Sequence, residues 1–354
     1  MKHSTEQLDL SRRAWLAGLI QQHATEPSGA SALALARGEW LCGEYDDALS
    51  HFIEARDRAP ELPEAHLSLV RSASMLGLEE LEASTLEQAL QQHPGQPELD
   101  LHAALVRVPD DLGAARALLQ PHRANPLCAQ YDQALALIER GDTPPPPDRA
   151  GDPRQIARWD SLRWVQRHSA DRSVHTGLPS NVLLRAIAAA PQQGLTLECG
   201  VYFGRSLQLI AERTRGSVHG FDSFQGLPEA WNAREGAGSY STAGRLPAVA
   251  ENVTLHAGWF EDTLPPFFAD HGGPIRLLHV DCDLYSSTRT VLAAADSHLV
   301  AGSIVVFDDF LGYPGHEQHE LRAFEEFAVA GNVGWKPIAA CLLGRVVAIR
   351  ITDR

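Results

Sequence analysis

The spacing of apolar and polar positions changes character partway along the chain. Up to about residue 140, Ala and Leu recur at helical intervals and no run alternates as a strand would, which predicts helices alone. Beyond residue 155 short apolar runs take turns with helical stretches. Arg154 to His168 and Asn181 to Ala190 read as helices; Leu195 to Cys199, Val218 to Phe221, Thr254 to His256, Ile275 to Val280 and Ile304 to Phe307 read as strands. Two further β runs, Lys336 to Leu343 and Arg345 to Ile351, flank Gly344 as a hairpin. Strands interleaved with helices predict an α/β domain on a mostly parallel sheet, with the hairpin adding one antiparallel strand. Between the two regions, Gly141 to Pro153 carries Pro144-Pro145-Pro146-Pro147, a linker stiffened by polyproline II geometry. The expected division is therefore a helical domain over 1–140, a linker over 141–154 and an α/β domain over 155–354.

Within the helical region a period of 34 is visible. Gly43 recurs as Gly77, Phe52 as Leu86, Ala55 as Ala89 and Pro60 as Pro94. Small residues where helices cross closely, and proline where the second helix ends, are the marks of a tetratricopeptide-like repeat. A third unit ending near Pro126 is degenerate. Such repeats either bind a protein partner or join copies of the chain, and a homo-oligomer is expected.

The second region is organised around Leu195 to Pro228. A strand runs into Glu198-Cys199-Gly200-Val201-Tyr202-Phe203-Gly204-Arg205-Ser206, a helix follows, and the next strand ends on Asp222. Strand, glycine turn, helix, strand and acid is how a βαβ unit opens a nucleotide pocket. Gly200 and Gly204 allow a tight turn, and the helix after Ser206 starts with unbonded amides. Asp222 stands where a carboxylate accepts from ribose hydroxyls. Tyr202 occupies the place where a dinucleotide fingerprint needs its second glycine, which disfavours NAD and FAD. Glu198 would suit a ligand bearing ammonium and sulfonium, so S-adenosylmethionine is the expected cofactor.

Charge narrows the partners. The 354 residues carry a formal net charge of −15, which argues against nucleic acid. The five cysteines are scattered without a CxxC pair, as reduced thiols of a cytoplasmic protein would be. Arg12-Arg13 precedes an apolar stretch too short for an export signal, and no window is long enough to span a membrane.

Asp281, Asp283, Asp308 and Asp309 follow two apolar strands expected to be neighbours. Crowded carboxylates repel unless a cation joins them. An all-oxygen set favours a hard ion, Mg²⁺ before Ca²⁺ or Mn²⁺. Capping of the following helices is the alternative role for such acids.

With these segments in view, the second region resembles the macrocin O-methyltransferase (TylF-like) family. The likeness rests on Glu198-Cys199-Gly200-Val201, Gly220-Phe221-Asp222-Ser223-Phe224-Gln225-Gly226-Leu227-Pro228, Gly258-Trp259-Phe260-Glu261-Asp262-Thr263-Leu264-Pro265, His279-Val280-Asp281-Cys282-Asp283-Leu284-Tyr285-Ser286-Ser287-Thr288 and Phe307-Asp308-Asp309, in that order. It covers roughly residues 180 to 350. It implies a Rossmann-like class I methyltransferase fold with a seven-stranded sheet, acting on a hydroxyl of a sugar or glycosylated small molecule, commonly with Mg²⁺. By that likeness Asp281, Asp308 and Asp309 hold the metal and Asp283 is the general base. Glu198, Gly200, Gly204, Ser206, Asp222 and Ser223 bind the cofactor, and Trp259, Phe260 and Glu261 flank its adenine. His319 is an alternative base or a substrate-facing residue. The rival readings are a nicotinamide oxidoreductase and a non-catalytic adaptor working through its repeats.

Overall fold

The computed structural model describes residues 5–108, 110–144 and 150–354. The expected proline run is only partly covered, since residues 145–149 lie outside the described ones. Packing divides the chain into two units. One comprises 1–102, 202–209 and 224–249; the other comprises 103–201, 210–223 and 250–354. The helices 112–119 and 126–140 thus belong to the same unit as the sheet.

In the first unit, helices Gly29–Cys42 and Tyr45–Arg58 are followed by Pro63–Met75 and Glu79–Gln92, so both kinds recur after 34 residues. Local chemistry sets their ends. Ser28 caps the first of them through a capping box with Ser31, and Gly43 closes it at φ +82°. Pro63 starts the third helix, where a missing N–H costs nothing. Ala32, Ala36, Ala48, Ala55 and Ala65 are fully buried around Phe52 and Leu69, the small side chains letting the helices approach closely. Leu86 and Ala89 are buried in the fourth helix as Phe52 and Ala55 are in the second.

The second unit holds one sheet of eight strands among the described residues: β1 His175–Thr176, β2 Leu195–Cys199, β3 Val218–Asp222, β4 Val253–Ala257, β5 Ile275–Val280, β6 Ile304–Phe307, β7 Gly334–Cys341 and β8 Val347–Asp353. Their order is β1-β7-β8-β6-β5-β2-β3-β4. Only β8 runs antiparallel to its neighbours, β6 and β7. The expected seven strands become eight because β1, two residues long, pairs with β7; two residues are too few to show a period. Strand β6 reads as an unbroken apolar run because helices cover both faces of such a sheet, while β2 and β5 interrupt theirs with Glu198 and His279, which pair with one another. Leu197, Leu278, Val280, Val305 and Phe307 are fully buried, and Phe310, Phe324, Trp164 and Trp335 extend the same core. Each such side chain stabilises the fold by about 1.5–3 kcal/mol over an exposed one. Among the described residues no helix is long and apolar enough to cross a membrane.

Candidate active site

Register aligns the carboxyl ends of four strands. Cys199 is paired with Phe221 on one side and Val280 on the other, and Val280 is paired with Phe307. The residues that come next are pinned by the neighbouring strand's carbonyls. Gly200 N–H donates to Phe221 O (2.9 Å), Asp281 N–H to Cys199 O (2.8 Å) and Asp308 N–H to Val280 O (3.0 Å). The glycine turn and the acids therefore share one edge of the sheet. In open α/β sheets that edge is where ligands bind.

Gly200 sits at φ +95°, and a Cβ there would stand 1.7 Å from the Asp281 carbonyl oxygen. What an added Cβ would meet is thus the acid-bearing loop. Asp222 accepts the Val201 N–H at 2.8 Å through Oδ2, and its carbonyl receives Gly258 N–H at 2.9 Å. That bond sets Trp259, an exposed indole at the start of helix Phe260–Asp270, directly after the residue tied to Asp222. A half-buried carboxylate at the end of β3 beside an open aromatic face fits a nucleoside. Ser223 follows Asp222, half-buried; Phe260 and Glu261 begin the helix, the latter exposed.

Glu198 lies within the sheet. It is fully buried, and its Oε1 lies 2.7 Å from Nδ1 of His279, its cross-strand partner, while Oε2 and His279 Nε2 have no hydrogen-bond partner. The carboxylate is turned along the sheet toward a neighbouring strand, because His279 offers it a donor where water cannot reach. His279 Nε2 in turn stands 4.0 Å from Asp308 Oδ1.

The acids do converge, though not in the combination the family likeness implied. One oxygen each of Asp281, Asp283 and Asp309 lie within 4.8 Å of one another. Asp308 points to the His279 side. Asp283 is held at φ +59°, a conformation costly for a residue with a Cβ. Its carboxyl is hydrogen-bonded to that of Asp309. Two residues that sequence reasoning did not single out complete the group. Buried Glu320 accepts the backbone N–H of Asp309 (3.1 Å) and of Cys282 (3.4 Å). Exposed Arg345 donates to Asp309 Oδ1 at 2.6 Å and lies 5.0 Å over the Tyr313 ring. Neither stands in a motif: Glu320 looks like the first acid of an amphipathic helix, and Arg345 like a hairpin residue.

Burial first, then the charges of Asp308 and Asp283, hold the Asp281 carboxyl well above the ordinary carboxylate range, although its side chain keeps contact with solvent. Burial and Asp308 push Asp309 up to about 6 against the pull of Arg345. Glu320 is raised too, chiefly by burial. Three oxygens at this separation, with no imidazole or thiolate among them, fit a hard divalent cation.

His319 is found elsewhere on the same edge, at the start of helix Glu320–Ala330 with its ring 6.3 Å from that of Tyr313. Gly204 (φ +79°) and Ser206 belong to the first unit, at the start of helix Arg205–Glu212. There the loop is gripped by the chain's beginning. Arg12 hydrogen-bonds Tyr202 and lies 5.4 Å over the Phe203 ring, and a Cβ on Gly43 would stand 2.4 Å from that ring. Arg245, in the glycine-rich segment after Phe224, pairs with Asp9. That segment is tied internally as well, by Leu227 N–H to Ser239 O (2.9 Å) and Gly238 N–H to Leu227 O (2.8 Å).

Residues 197–310, just under a third of the chain, match a family model described as a methyltransferase domain. No curated protein matches the chain. Among solved structures, the O-methyltransferase NovP is 22% identical, the match covering 49% of this chain and 77% of that one with a TM-score of 0.37. The calicheamicin methyltransferase CalS11 is 21% identical over 64% of this chain and 93% of its own, TM-score 0.38. An O-methyltransferase from Bacillus cereus in complex with SAH is 15% identical over 66% and 97%, TM-score 0.32.

Proposed function

We propose that the chain is an S-adenosylmethionine-dependent O-methyltransferase acting on a hydroxyl of a sugar or glycosylated small molecule. The observation that carries this reading is the convergence of Asp281, Asp283 and Asp309 on the ligand-binding edge of a sheet whose residues 197–310 match a methyltransferase domain. The motif likeness to macrocin O-methyltransferases supports the hydroxyl acceptor.

The cofactor, when bound, supplies a methyl group on a cationic sulfur. Asp222 would accept from its ribose hydroxyls, with Ser223 next in the chain, and Trp259, Phe260 and Glu261 would flank the adenine. Glu198 contributes negative charge from beneath the turn, oriented by His279. Asp281 and Asp309 would hold Mg²⁺, and the chemistry such an ion would supply is acidification of a hydroxyl. Asp308, turned to the His279 side, adds a further negative charge beside them. Asp283 takes the hydroxyl proton, and its hydrogen bond to Asp309 gives that proton a second oxygen to rest on. His319 is the alternative acceptor of the proton. What remains is alignment of oxygen, methyl carbon and sulfur, which is a matter of positioning. The helical repeats serve a protein partner or self-association, and the protein works in the cytoplasm.

The test is calorimetric titration with S-adenosylhomocysteine, with and without a chelator, beside NAD. Binding of the first and indifference to the second are expected. Binding of NAD alone would sink the proposal.

A further inference from the structure

We propose that His23, His51 and Glu54, on the helical unit and outside the site above, bind a zinc ion. The three residues each present one donor atom, and those atoms lie within 4.8 Å of one another. His51 and Glu54 are three apart on helix Tyr45–Arg58 and so share a face, while His23 is in the last turn of helix Thr5–Thr25.

The separation of His23 and Glu54 suits a shared metal better than a direct ion pair. His23 Nε2 and Glu54 Oε2 stand 3.3 Å apart. A charge-assisted hydrogen bond would draw them to about 2.7–2.9 Å. Two ligands bound at about 2.0–2.1 Å on a tetrahedral ion stand about 3.3–3.4 Å from each other. The outer nitrogens are anchored as zinc ligands require. His51 Nδ1 lies 2.8 Å from Oε2 of buried Glu39, a carboxylate–histidine arrangement that keeps the proton on Nδ1 and bares Nε2. His23 Nδ1 lies 2.9 Å from Ser31 Oγ, whose own hydrogen goes to Glu26 O (2.9 Å), so this imidazole is also the donor there and its Nε2 is bare. Arg58 occupies Glu54 Oε1 and leaves Oε2 to the ion. The rings meet edge to face, 5.5 Å between centroids, so neither blocks the other's nitrogen. Side-chain exposures of 13%, 27% and 29% leave an entry path and room for a water as fourth ligand. Two imidazoles and one carboxylate select a borderline ion, zinc, over Mg²⁺.

The ion would staple helix Thr5–Thr25 to helix Tyr45–Arg58. Helix Thr5–Thr25 exposes Leu10, Trp15 and Ile20, and carries Asp9 and Arg12, the residues that hold Arg245 and Tyr202.

The test titrates Zn²⁺ into the metal-free full chain in excess Mg²⁺, which occupies the all-oxygen cluster, and repeats the titration with Co²⁺ read by its tetrahedral absorption band. One equivalent, a raised melting temperature and a tetrahedral Co²⁺ spectrum are expected. His23→Gln and His51→Gln should each weaken binding at least about 100-fold, and Glu39→Gln about 10- to 100-fold. The Glu39 variant leaves all three ligands in place, so it reports on the site even where a ligand variant folds poorly. Absence of binding to the native chain, or affinity unchanged in the His23→Gln/His51→Gln double variant, overturns the proposal.

Discussion

At the scale of single residues, the least expected contact is the ion-pair geometry of Glu198 and His279 inside the sheet. Both residues are 1% exposed or less, so a carboxylate deprived of its imidazole has no water to turn to. His279→Ala is therefore expected to destabilise the protein by about 3–5 kcal/mol, the cost of stranding one member of a buried pair, measured by urea unfolding. Replacing both with apolar residues of similar volume should cost much less, because no lone charge is left behind. Asp283→Asn tests a different role. Turnover should fall by at least about 100-fold while S-adenosylhomocysteine binds nearly as well as before; a large loss of cofactor affinity would contradict the assignment. The acids at 281, 283, 308 and 309 were visible in the sequence because each follows an apolar strand. Glu320 and Arg345 were not, since their partnership with Asp309 spans 11 and 36 residues and obeys no period. Glu198 was legible as a motif residue, yet its partner was not: nothing in a one-dimensional pattern says which residue of β5 will stand beside it.

Among elements, the turn after β2 is the most constrained. Gly200→Ala places a methyl group on the Asp281 carbonyl and forces φ +95° on a residue with a side chain, so the loop bearing Asp281 has to shift. Loss of divalent-ion affinity should accompany loss of stability in this variant, read by Mg²⁺ titration and thermal melting. Gly43→Val applies the same logic in the helical unit, where the added carbons meet Phe203. A loosened 202–209 segment should show as faster proteolysis after Arg205 and a lowered melting temperature. Strand β6 was readable because burial on both faces leaves an unmixed apolar run, and β2, β3 and β5 because most of their other positions are apolar and buried; β4, at the sheet's edge, is only partly buried. Readable too were the helices, whose alanines and glycines recur with the repeat. Strand β1 was unreadable: its place beside β7 is decided by the Thr176 carbonyl receiving Leu342 N–H at 2.7 Å, a tertiary event.

Over the whole molecule, buried histidines tie stability to pH. His175 is 5% exposed, and burial lowers its pKa to about 4. An unfolded chain's histidine titrates near about 6.5. Between those values the unfolded chain binds a proton that the folded one refuses. Stability is thus complete above about 6.5 and declines as pH falls toward 4, by on the order of 3 kcal/mol from this residue. His175→Gln should flatten that limb of a stability-against-pH curve, and an unaltered slope would assign the decline to other groups. The Asp281 carbonyl resting on Gly200 has a wider consequence. The first and fourth motifs of the α/β region, Glu198 to Val201 and His279 to Thr288, touch through backbone, with no side chain to absorb a mismatch, so neither can be transplanted alone. A chimera that received the acids of β5 on a host turn with alanine in place of Gly200 would inherit their charges without their placement, whereas moving both segments together would carry the geometry intact.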